Sequence, residues 1–323
     1  MPYIRATAAA VLAALAPAAA QDWPARPLTM VVPFAPGSGS DILGRIIAPR
    51  IADNLGAPVV IENVGGAGGM VGAARVMKAA PDGYQLLLAT AGTHAVNQTL
   101  YKKPLYNAAT DFAPVGLLAR SPIVLVTRND LPVGDLPQFI AYAKTHQASM
   151  QYGSPGVGSA SHLACVLFNA AIGIEVTHVP YRSTAQALQD LLPGRLDYQC
   201  VPIAAAVPQV ASKTLKAIAI MARTRSPVLP TLATAHEQGL ADFEVDTWYA
   251  IFLPKGTPPP IIEKLNASAI AAMNSADVQA RLDELGIEVV APERRSPGYL
   301  AEFVVREIAK WAGPIRAAGL SMD

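Results

Sequence analysis

Two short segments rich in glycine and serine stand directly before stretches with helical periodicity: loop 1, residues 33–41 (PFAPGSGSD), and loop 2, residues 153–162 (GSPGVGSASH). Glycine lets the backbone come close to a ligand, and the start of a helix presents unpaired N–H groups together with a partial positive charge. This combination favours a bound anion without any basic side chain. In loop 1 either Ser40 or Asp41 can cap the helix, and we expect Asp41 to order the loop and hold water.

The serines of loop 2 raise the question of nucleophilic catalysis. Neither Ser154 nor Ser159 lies in a G-x-S-x-G elbow, and the proximity of His162 does not make a triad. A dinucleotide-binding fingerprint would need glycine where Ser161 stands, and no G-K-[ST] follows a glycine. Five scattered histidines and two cysteines 35 residues apart predict no metal site. A secreted serine hydrolase using residues 154–161 is kept as the alternative function.

Three further loops follow predicted strands. Residues 90–94 (TAGTH) come after a buried strand, and residues 179–184 (VPYRST) end where Ser183 or Thr184 begins a helix. Arg182 is the best-placed cation for a bidentate carboxylate contact, and a solvated surface arginine is the equal alternative. Residues 65–69 (GGAGG) lack a nearby Lys, Ser or Thr, so we interpret them as a tight structural loop.

The composition of the chain limits the functions that these loops can have. The chain has 323 residues, 25 Lys and Arg against 24 Asp and Glu, and 52% hydrophobic residues. So much apolar material at almost no net charge excludes a disordered chain, and it argues against nucleic-acid binding, which needs a basic surface. This much apolar material can fill a sizeable core, and the length suggests about two domains.

Residues 1–20 have the pattern of a secretory signal. Arg5 precedes an apolar run, Pro17 interrupts it, and three alanines end at Ala20, so we expect cleavage before Gln21. No later segment has 18 uninterrupted apolar residues, and we expect a soluble mature protein in the periplasm. Because export permits disulfides, we favour a Cys165–Cys200 bridge over two separate buried thiols.

The rest of the chain alternates strands and helices. Apolar runs such as LLLA (86–89) alternate with helical stretches of ten or more residues, which predicts βαβ units and a mostly parallel sheet covered on both faces. Strand, Gly/Ser loop and helix recur at 31–45 and 151–168, consistent with two similar α/β lobes. Ligands of such sheets bind at the carboxyl ends of strands, where these loops lie.

The loops and their surroundings resemble the solute-binding proteins of tripartite tricarboxylate transporters, the TctC or Bug family. Six matching segments are spread over essentially the whole mature chain: PFAPGSGSDILGRI (33–46), ENVGGAGGMVGAARV (62–76), PDGYQLLLAT (81–90), YGSPGVGSASHLACVLFN (152–169), THVPYR (177–182) and AIFLPKGTPPPIIEKLN (250–266). The resemblance implies a periplasmic binding protein-like fold, with two α/β domains that close over a ligand in the cleft between them. It also implies recognition of a carboxylate by loop backbone and hydroxyl groups, and delivery to a membrane permease.

The positions that match the ligand loops of this family, together with Asp197, form the predicted ligand site: Pro36, Gly37, Ser38, Gly39, Asp41, Thr90, Gly92, Thr93, Ser154, Gly156, Gly158, Ser159, Tyr181, Arg182, Ser183, Thr184, Asp197, Thr247 and Trp248. Two departures bear on the ligand. Ser38 stands where the family commonly has a second glycine, which changes that loop's φ or adds a donor. Cys200-Val201-Pro202 stands where many relatives have an acidic residue after the Asp197 strand, which argues against an amino-acid ligand and for a simple carboxylate.

The combined prediction is a monomeric periplasmic binding protein for a small organic acid, a di- or tricarboxylate or an aromatic acid, without cofactor or metal. We expect domain 1 to comprise residues 21–122 and 250–323, and domain 2 residues 123–249. The expected partners of the whole protein are the ligand and the permease subunits of a tripartite transporter. A ligand-sensing partner of a membrane receptor is a third interpretation, compatible with the same fold.

Overall fold

The computed structural model describes residues 23–322, so the predicted signal segment 1–20 lies outside the described residues. The strands are β1 (Leu28–Val32), β2 (Val59–Asn63), β3 (Gln85–Thr90), β4 (Phe112–Arg128), β5 (Gln151–Ser154), β6 (Thr177–Pro180), β7 (Tyr198–Pro202), β8 (Leu215–Ile220), β9 (Asp246–Pro254) and β10 (Glu288–Val289). The α-helices are α1 (Gly39–Leu55), α2 (Met70–Met77), α3 (Asn97–Leu100), α4 (Leu136–His146), α5 (Ala160–Ile172), α6 (Thr184–Leu191), α7 (Ile203–Ala211), α8 (Pro259–Asn274), α9 (Ala276–Glu284) and α10 (Pro297–Ala317).

The long strand β4 connects two half-sheets. Its residues 112–122 pair with β9, and its residues 123–128 pair with β7 and β8. The first half-sheet therefore contains β2, β1, β3, β9 and the start of β4, and the second contains the end of β4 with β8, β7, β5 and β6. The sequence predicts two separate strands at 113–119 and 123–127. They form one strand because Ser121 and Pro122 continue the extended backbone.

The prediction of a mostly parallel sheet is wrong for the centre of the molecule. Parallel pairs occur on the flanks, where β1 lies between β2 and β3 and where β5 lies between β6 and β7. Every pairing described for β4 and β9 is antiparallel. The alternating pattern identified the βαβ units correctly, but it gives no direction for the two long strands that cross between the half-sheets.

Both faces of the first half-sheet are covered, as the unbroken apolar run of β3 predicts. Leu86 and Leu88 belong to one core cluster, against α1 and α8, while Leu87 and Ala89 belong to the other. Side chains alternate between the two faces of a strand, so four consecutive apolar residues supply two cores. Helix α1 packs against α8 on one side of this half-sheet, and α10 packs against β4.

The predicted disulfide is confirmed. Cys165 on α5 and Cys200 on β7 are bonded, with their Cα atoms 5.4 Å apart. The bond ties the helix that follows loop 2 to the second half-sheet. Among residues 23–322, no helix combines the length and apolar character that crossing a bilayer requires.

Candidate functional site

A small cavity of about 30 Å³ lies where loop 1 and loop 2 face each other between the half-sheets. Its walls are backbone, hydroxyl groups and a few apolar side chains, and none of the lining residues carries a charge. They are Phe34, Ser38, Gly39, Ser40, Thr90, Pro155, Ser159, Ala160, Ser161, Thr184, Pro202, Thr247 and Tyr249. Six of them belong to the ligand site that the sequence predicts: Ser38, Gly39, Thr90, Ser159, Thr184 and Thr247.

Three helices begin at this cavity with the same capping arrangement. Ser38, Ser159 and Ser183 are the N-caps of α1, α5 and α6. Each serine hydroxyl accepts a hydrogen bond from the N–H three residues later, at 3.3 Å from Asp41, 3.2 Å from His162 and 3.1 Å from Gln186. The N–H groups of the first two residues of each helix have no intrahelical acceptor.

These helix starts supply the cavity with positive potential. The lining includes the first two residues of α1 (Gly39, Ser40) and of α5 (Ala160, Ser161), and the first residue of α6 (Thr184). Each helix N-terminus is equivalent to roughly +0.5 elementary charge. Three of them facing one uncharged cavity can therefore bind an anion through backbone donors alone.

Loop 1 is held by a buried carboxylate. Asp41 is 3% exposed and accepts hydrogen bonds from the Gly37 N–H at 3.0 Å, from Asn63 Nδ2 at 2.9 Å and from Arg45 Nε at 3.0 Å. Burial raises the pKa of Asp41, but these bonds more than offset burial and hold it below the ordinary value. Asp41 thus orders the loop, as predicted, whereas the expectation that Ser40 or Asp41 caps the helix is wrong, because Ser38 is the cap.

Loop 2 is held by neutral groups instead. Ser154 Oγ lies 2.7 Å from His178 Nε2, and the ring of His178 lies 4.5 Å from that of His162, with Tyr152 beside both. Burial lowers the pKa of His178 to about 4. Burial and the neighbouring His178 lower the pKa of His162 to about 3. Both imidazoles are therefore uncharged at neutral pH.

The Ser154–His178 pair is not arranged as a hydrolase site. Ser154 is fully buried, and its hydroxyl also contacts the backbone of Gly156, at 3.2 Å. Within residues 23–322 the side-chain contacts described for His178 are with Ser154, Tyr152 and His162, so a triad's orienting carboxylate is missing there. Ser159 does line the cavity, but its hydroxyl caps α5.

Nine other predicted residues of the loops are not among the cavity's lining residues: Pro36, Gly37, Asp41, Gly92, Thr93, Ser154, Gly156, Gly158 and Ser183. Thr93 shows how such a residue supports the wall. Its hydroxyl accepts from the Thr90 N–H at 3.0 Å, and its carbonyl accepts from Tyr106 at 2.8 Å. Thr93 therefore fixes the end of β3, from which Thr90 reaches the cavity.

Four predicted residues point elsewhere. The Tyr181 hydroxyl donates to Asp190 at 2.7 Å, and Arg182 is exposed. Asp197 precedes β7, at the end opposite the cavity, and pairs with Arg128 at 3.1 Å. The Trp248 indole donates to the buried Glu307 at 2.9 Å.

Sequence reasoning missed seven lining residues: Phe34, Ser40, Pro155, Ala160, Ser161, Pro202 and Tyr249. Tyr249 can be inferred from the sequence only once Thr247 is known to face the cavity. Side chains two apart on a strand share a face, so the residue that accompanies Thr247 at the cavity is Tyr249, and Trp248 faces the core. Of the other six, Phe34, Ser40, Pro155, Ala160 and Ser161 lie inside loop 1 or loop 2, and Pro202 ends β7 directly before α7.

The two halves touch around the cavity. The Ala35 N–H donates to the Arg182 carbonyl at 3.3 Å, and the Tyr101 hydroxyl donates to the Val157 carbonyl at 3.4 Å. Gly68, in the glycine loop interpreted as structural, lies directly against Val157 and Gly158, where a Cβ would collide with their backbone. The structure is therefore a closed arrangement in which loop 2 receives contacts from several loops of the other half.

The sequence and the fold are both similar to those of known proteins. The sequence matches the family model TctC, described as "Tripartite tricarboxylate transporter family receptor", over residues 43–320. Malate-bound MatC from Rhodopseudomonas palustris is 41% identical, with a TM-score of 0.88, and the match covers 91% of this chain and 100% of that chain. The periplasmic binding protein BugD is 36% identical, with a TM-score of 0.91 and coverage of 93% and 100%. Adipate-bound Rpa4515 from R. palustris is 35% identical, with a TM-score of 0.88 and coverage of 93% and 99%.

These matches confirm the predicted fold class, an α/β periplasmic binding protein-like fold of two domains with a ligand cleft between them. The matching family is one of receptors and not of enzymes, so the serine hydrolase alternative has no support. The chain belongs to the TctC family of tripartite tricarboxylate transporter receptors.

Proposed function

We propose that the protein binds a small organic carboxylate in the cavity between its half-sheets and presents it to the membrane subunits of a tripartite transporter. The observation that carries the proposal is the convergence of three serine-capped helix N-termini on an uncharged cavity. Similar proteins support the ligand class, since MatC is described with bound malate and Rpa4515 with adipate.

Binding works through closure. Lining residues come from both half-sheets, so a carboxylate that accepts bonds from α1 on one side and from α5 and α6 on the other stabilises the closed form. A ligand shifts the equilibrium between open and closed forms only by its differential affinity for them. A ligand that reaches the amides of one half alone would bind without closing the protein.

The domain boundaries of this proposal follow the strands that cross between the halves. We place the first boundary at 122/123, where β4 changes its pairing partners. The second boundary moves from the predicted 249/250 to a position before Asp246, because β9 pairs with β3 and β4 of the first half-sheet over its whole described length. The predicted ligand residues outside the cavity wall, including Arg182 and Asp197, then have a supporting role.

Periplasmic location and the permease partner belong to the proposal as well. The pattern of residues 1–20 supports export with cleavage before Gln21. The description of the family as a transporter receptor supports delivery to a permease. We propose that the protein acts as a monomer, because a single chain supplies both walls of the cavity.

The test is direct binding. The mature chain, residues 21–323, is stripped of ligand by unfolding and refolding with its disulfide intact, and it is titrated calorimetrically with malate, succinate, adipate, citrate and benzoate. We expect at least one acid to bind with 1:1 stoichiometry and to raise the unfolding temperature. Amides of the same acids serve as matched neutral controls and should not bind. A refolded protein with native circular dichroism that binds none of the acids would contradict the proposal.

A further inference from the structure

Three hydroxyl groups lie together on the side of the cavity formed by the crossing strands. Thr247 and Tyr249 line the cavity from β9, and Ser121 on β4 is the cross-strand partner of Thr247. Ser121, Thr247 and Tyr249 are 0%, 2% and 1% exposed. None of the three hydroxyl oxygens makes a well-formed hydrogen bond to another residue within 23–322, although Ser121 lies beside the Tyr249 phenol. We call these three residues the hydroxyl floor.

Buried hydroxyl groups almost always have a partner, because desolvation without one is costly. Two unpartnered hydroxyls that line one cavity, with a third on the neighbouring strand, are therefore unexplained by the fold itself. Because Thr247 and Tyr249 both line the cavity, their missing partner is a group bound there.

The chemistry of the floor differs from that of the helix starts. Amides at a helix N-terminus only donate, which suits a carboxylate. Ser, Thr and Tyr hydroxyls both donate and accept, which suits a ligand hydroxyl that does the same. Burial raises the pKa of Tyr249 above its ordinary value, so its phenol stays protonated at neutral pH. The floor therefore offers a neutral polar group a complete set of partners.

The floor also adjoins the carboxylate position. The Tyr249 hydroxyl lies against Gly39, the first residue of α1, so closely that a Cβ at Gly39 would collide with it. A carboxylate bound at the amides of α1 would therefore lie close to the Tyr249 hydroxyl, with substituents of its next carbon within reach of the floor. An oxygen on that carbon is the part of the ligand that the floor can contact.

We propose that Tyr249 and Thr247, supported by Ser121, select carboxylates that carry a hydroxyl group on the carbon next to the carboxylate. This inference rests on the proposed carboxylate binding and names the ligand class within it. The hydroxyl of a 2-hydroxy acid satisfies the floor, whereas the unsubstituted acid leaves the floor unpartnered in the closed protein.

The experiment uses pairs of acids that differ by one hydroxyl group: malate and succinate, lactate and propionate, mandelate and phenylacetate. Dissociation constants are measured by calorimetry for the wild type, Tyr249→Phe and Thr247→Val. We expect the wild type to bind at least one hydroxy acid about tenfold or more tightly than its partner. In either variant this preference should shrink to within about threefold, through weaker binding of the hydroxy acid only. Tyr299→Phe on α10 removes a phenol hydroxyl outside the cavity and should keep the wild-type preference.

Stability separates a binding role from a structural one. Because the Tyr249 hydroxyl has no well-formed bond within the protein, the unfolding temperature of ligand-free Tyr249→Phe should not fall below that of the wild type. A clear fall would overturn the inference, since it would show that the hydroxyl supports the fold.

The outcomes are distinguishable. Equal affinity for both members of every pair, or binding of adipate alone, overturns the hydroxyl selection and leaves carboxylate binding intact. Equal weakening of both members by Tyr249→Phe also overturns it, because the phenol would then contact the carboxylate. If no acid binds, the proposed function itself fails.

Discussion

Loop 1 and loop 2 present the same serine-capped helix start to the cavity, but different chemistry holds them in place. Loop 1 depends on an ionised carboxylate, Asp41, with its donors Arg45 and Asn63. Loop 2 depends on neutral hydroxyl and imidazole groups, of which His178 is central. The cap geometry is therefore common to both loops, while its support is electrostatic in one and uncharged in the other.

The difference also extends to contacts with the opposite half. Loop 2 is the surface onto which Gly68, Gly92 and Tyr101 of the first half pack. Loop 1 meets the opposite half less closely, through Ala35, Gly37 and Gly39. Changes at loop 2 should therefore affect closure first, and changes inside loop 1 should affect local order first.

The largest effect is expected from Gly68→Ala. A Cβ at this position would collide with the Val157 carbonyl and the Gly158 backbone, so the closed form can no longer form without a shift of loop 2. Because apparent affinity falls with the population of the closed form, we expect the carboxylate to bind roughly tenfold or more weakly. Calorimetry with the best acid measures this change.

Gly173→Ala is the matched control. Gly173 has a φ of +70°, similar to the +59° of Gly68, but a Cβ there meets no atom within 4 Å. Both variants should lose about 1 kcal/mol of stability through left-handed backbone strain, and only Gly68→Ala should lose affinity. Equal affinities in the two variants would show that Gly68 does not limit closure.

Asp41→Asn tests the electrostatic support of loop 1. The carboxylate accepts from three groups, so its replacement by a neutral amide should lower the free energy of unfolding by about 1–2 kcal/mol. The exposure of Arg45 keeps the effect at the lower end of that range. Asp53→Asn on the same helix is the control, since Asp53 and its partner Arg50 are both exposed to solvent and their ion pair should contribute little to stability. Urea denaturation of both variants measures the difference, which should disappear if Asp41 is dispensable.

The pH dependence of stability should distinguish the two supports. His178 has a folded pKa of about 4 against an ordinary 6.5, so between these values the unfolded state binds more protons. Stability from His178 is therefore complete above pH 6.5 and is lost as the pH falls toward 4. The pKa of Asp41 lies below its ordinary value, so its contribution persists until more acidic pH.

His178→Gln should make the stability profile less steep between pH 6.5 and 4, while His162, whose pKa burial also lowers, retains part of the slope. One proton changes the slope by at most about 1.4 kcal/mol per pH unit, and the partial exposure of His178 keeps its share below that limit. His146→Gln is the control, because His146 lies on the exposed surface of α4. Unfolding curves at half-unit pH steps measure the slopes. An unchanged slope in His178→Gln would show that the neutral imidazole of His178 does not stabilise loop 2.

Local signals explain why so much of the fold could be predicted. Helix periodicity and glycine-rich loops identified the βαβ units, and export with two cysteines pointed to the Cys165–Cys200 bond. Helix α7 was not predicted, since its short alanine-rich sequence contains Pro208. The sheet direction at its centre depends on long-range pairing of β4 and β9, which no local pattern specifies.

In the candidate site, too, features with a local sequence signal could be predicted and features set by the three-dimensional fold could not. The loops were identified because glycine and serine before a helix have a local physical meaning. The residue that caps α1 could not be identified in this way. Ser38, Ser40 and Asp41 are all acceptable caps, and only the path of the backbone decides which of them caps the helix. Alternation places Thr247 and Tyr249 on one face of β9, but both faces of this strand are buried, so the sequence does not say which face meets the cavity.

The smallest effect is expected from Arg182→Ala. The sequence leaves open whether Arg182 binds the ligand, and the structure places it on the surface, with its backbone carbonyl bonded to Ala35. Since alanine keeps that carbonyl, we expect the dissociation constant to change by less than about threefold, and any change to vanish at high salt, as long-range attraction does. A tenfold loss that persists at high salt would mean that the guanidinium reaches the ligand. Recognition would then combine a side-chain cation with the helix amides, and the cavity would no longer bind its ligand through neutral groups alone.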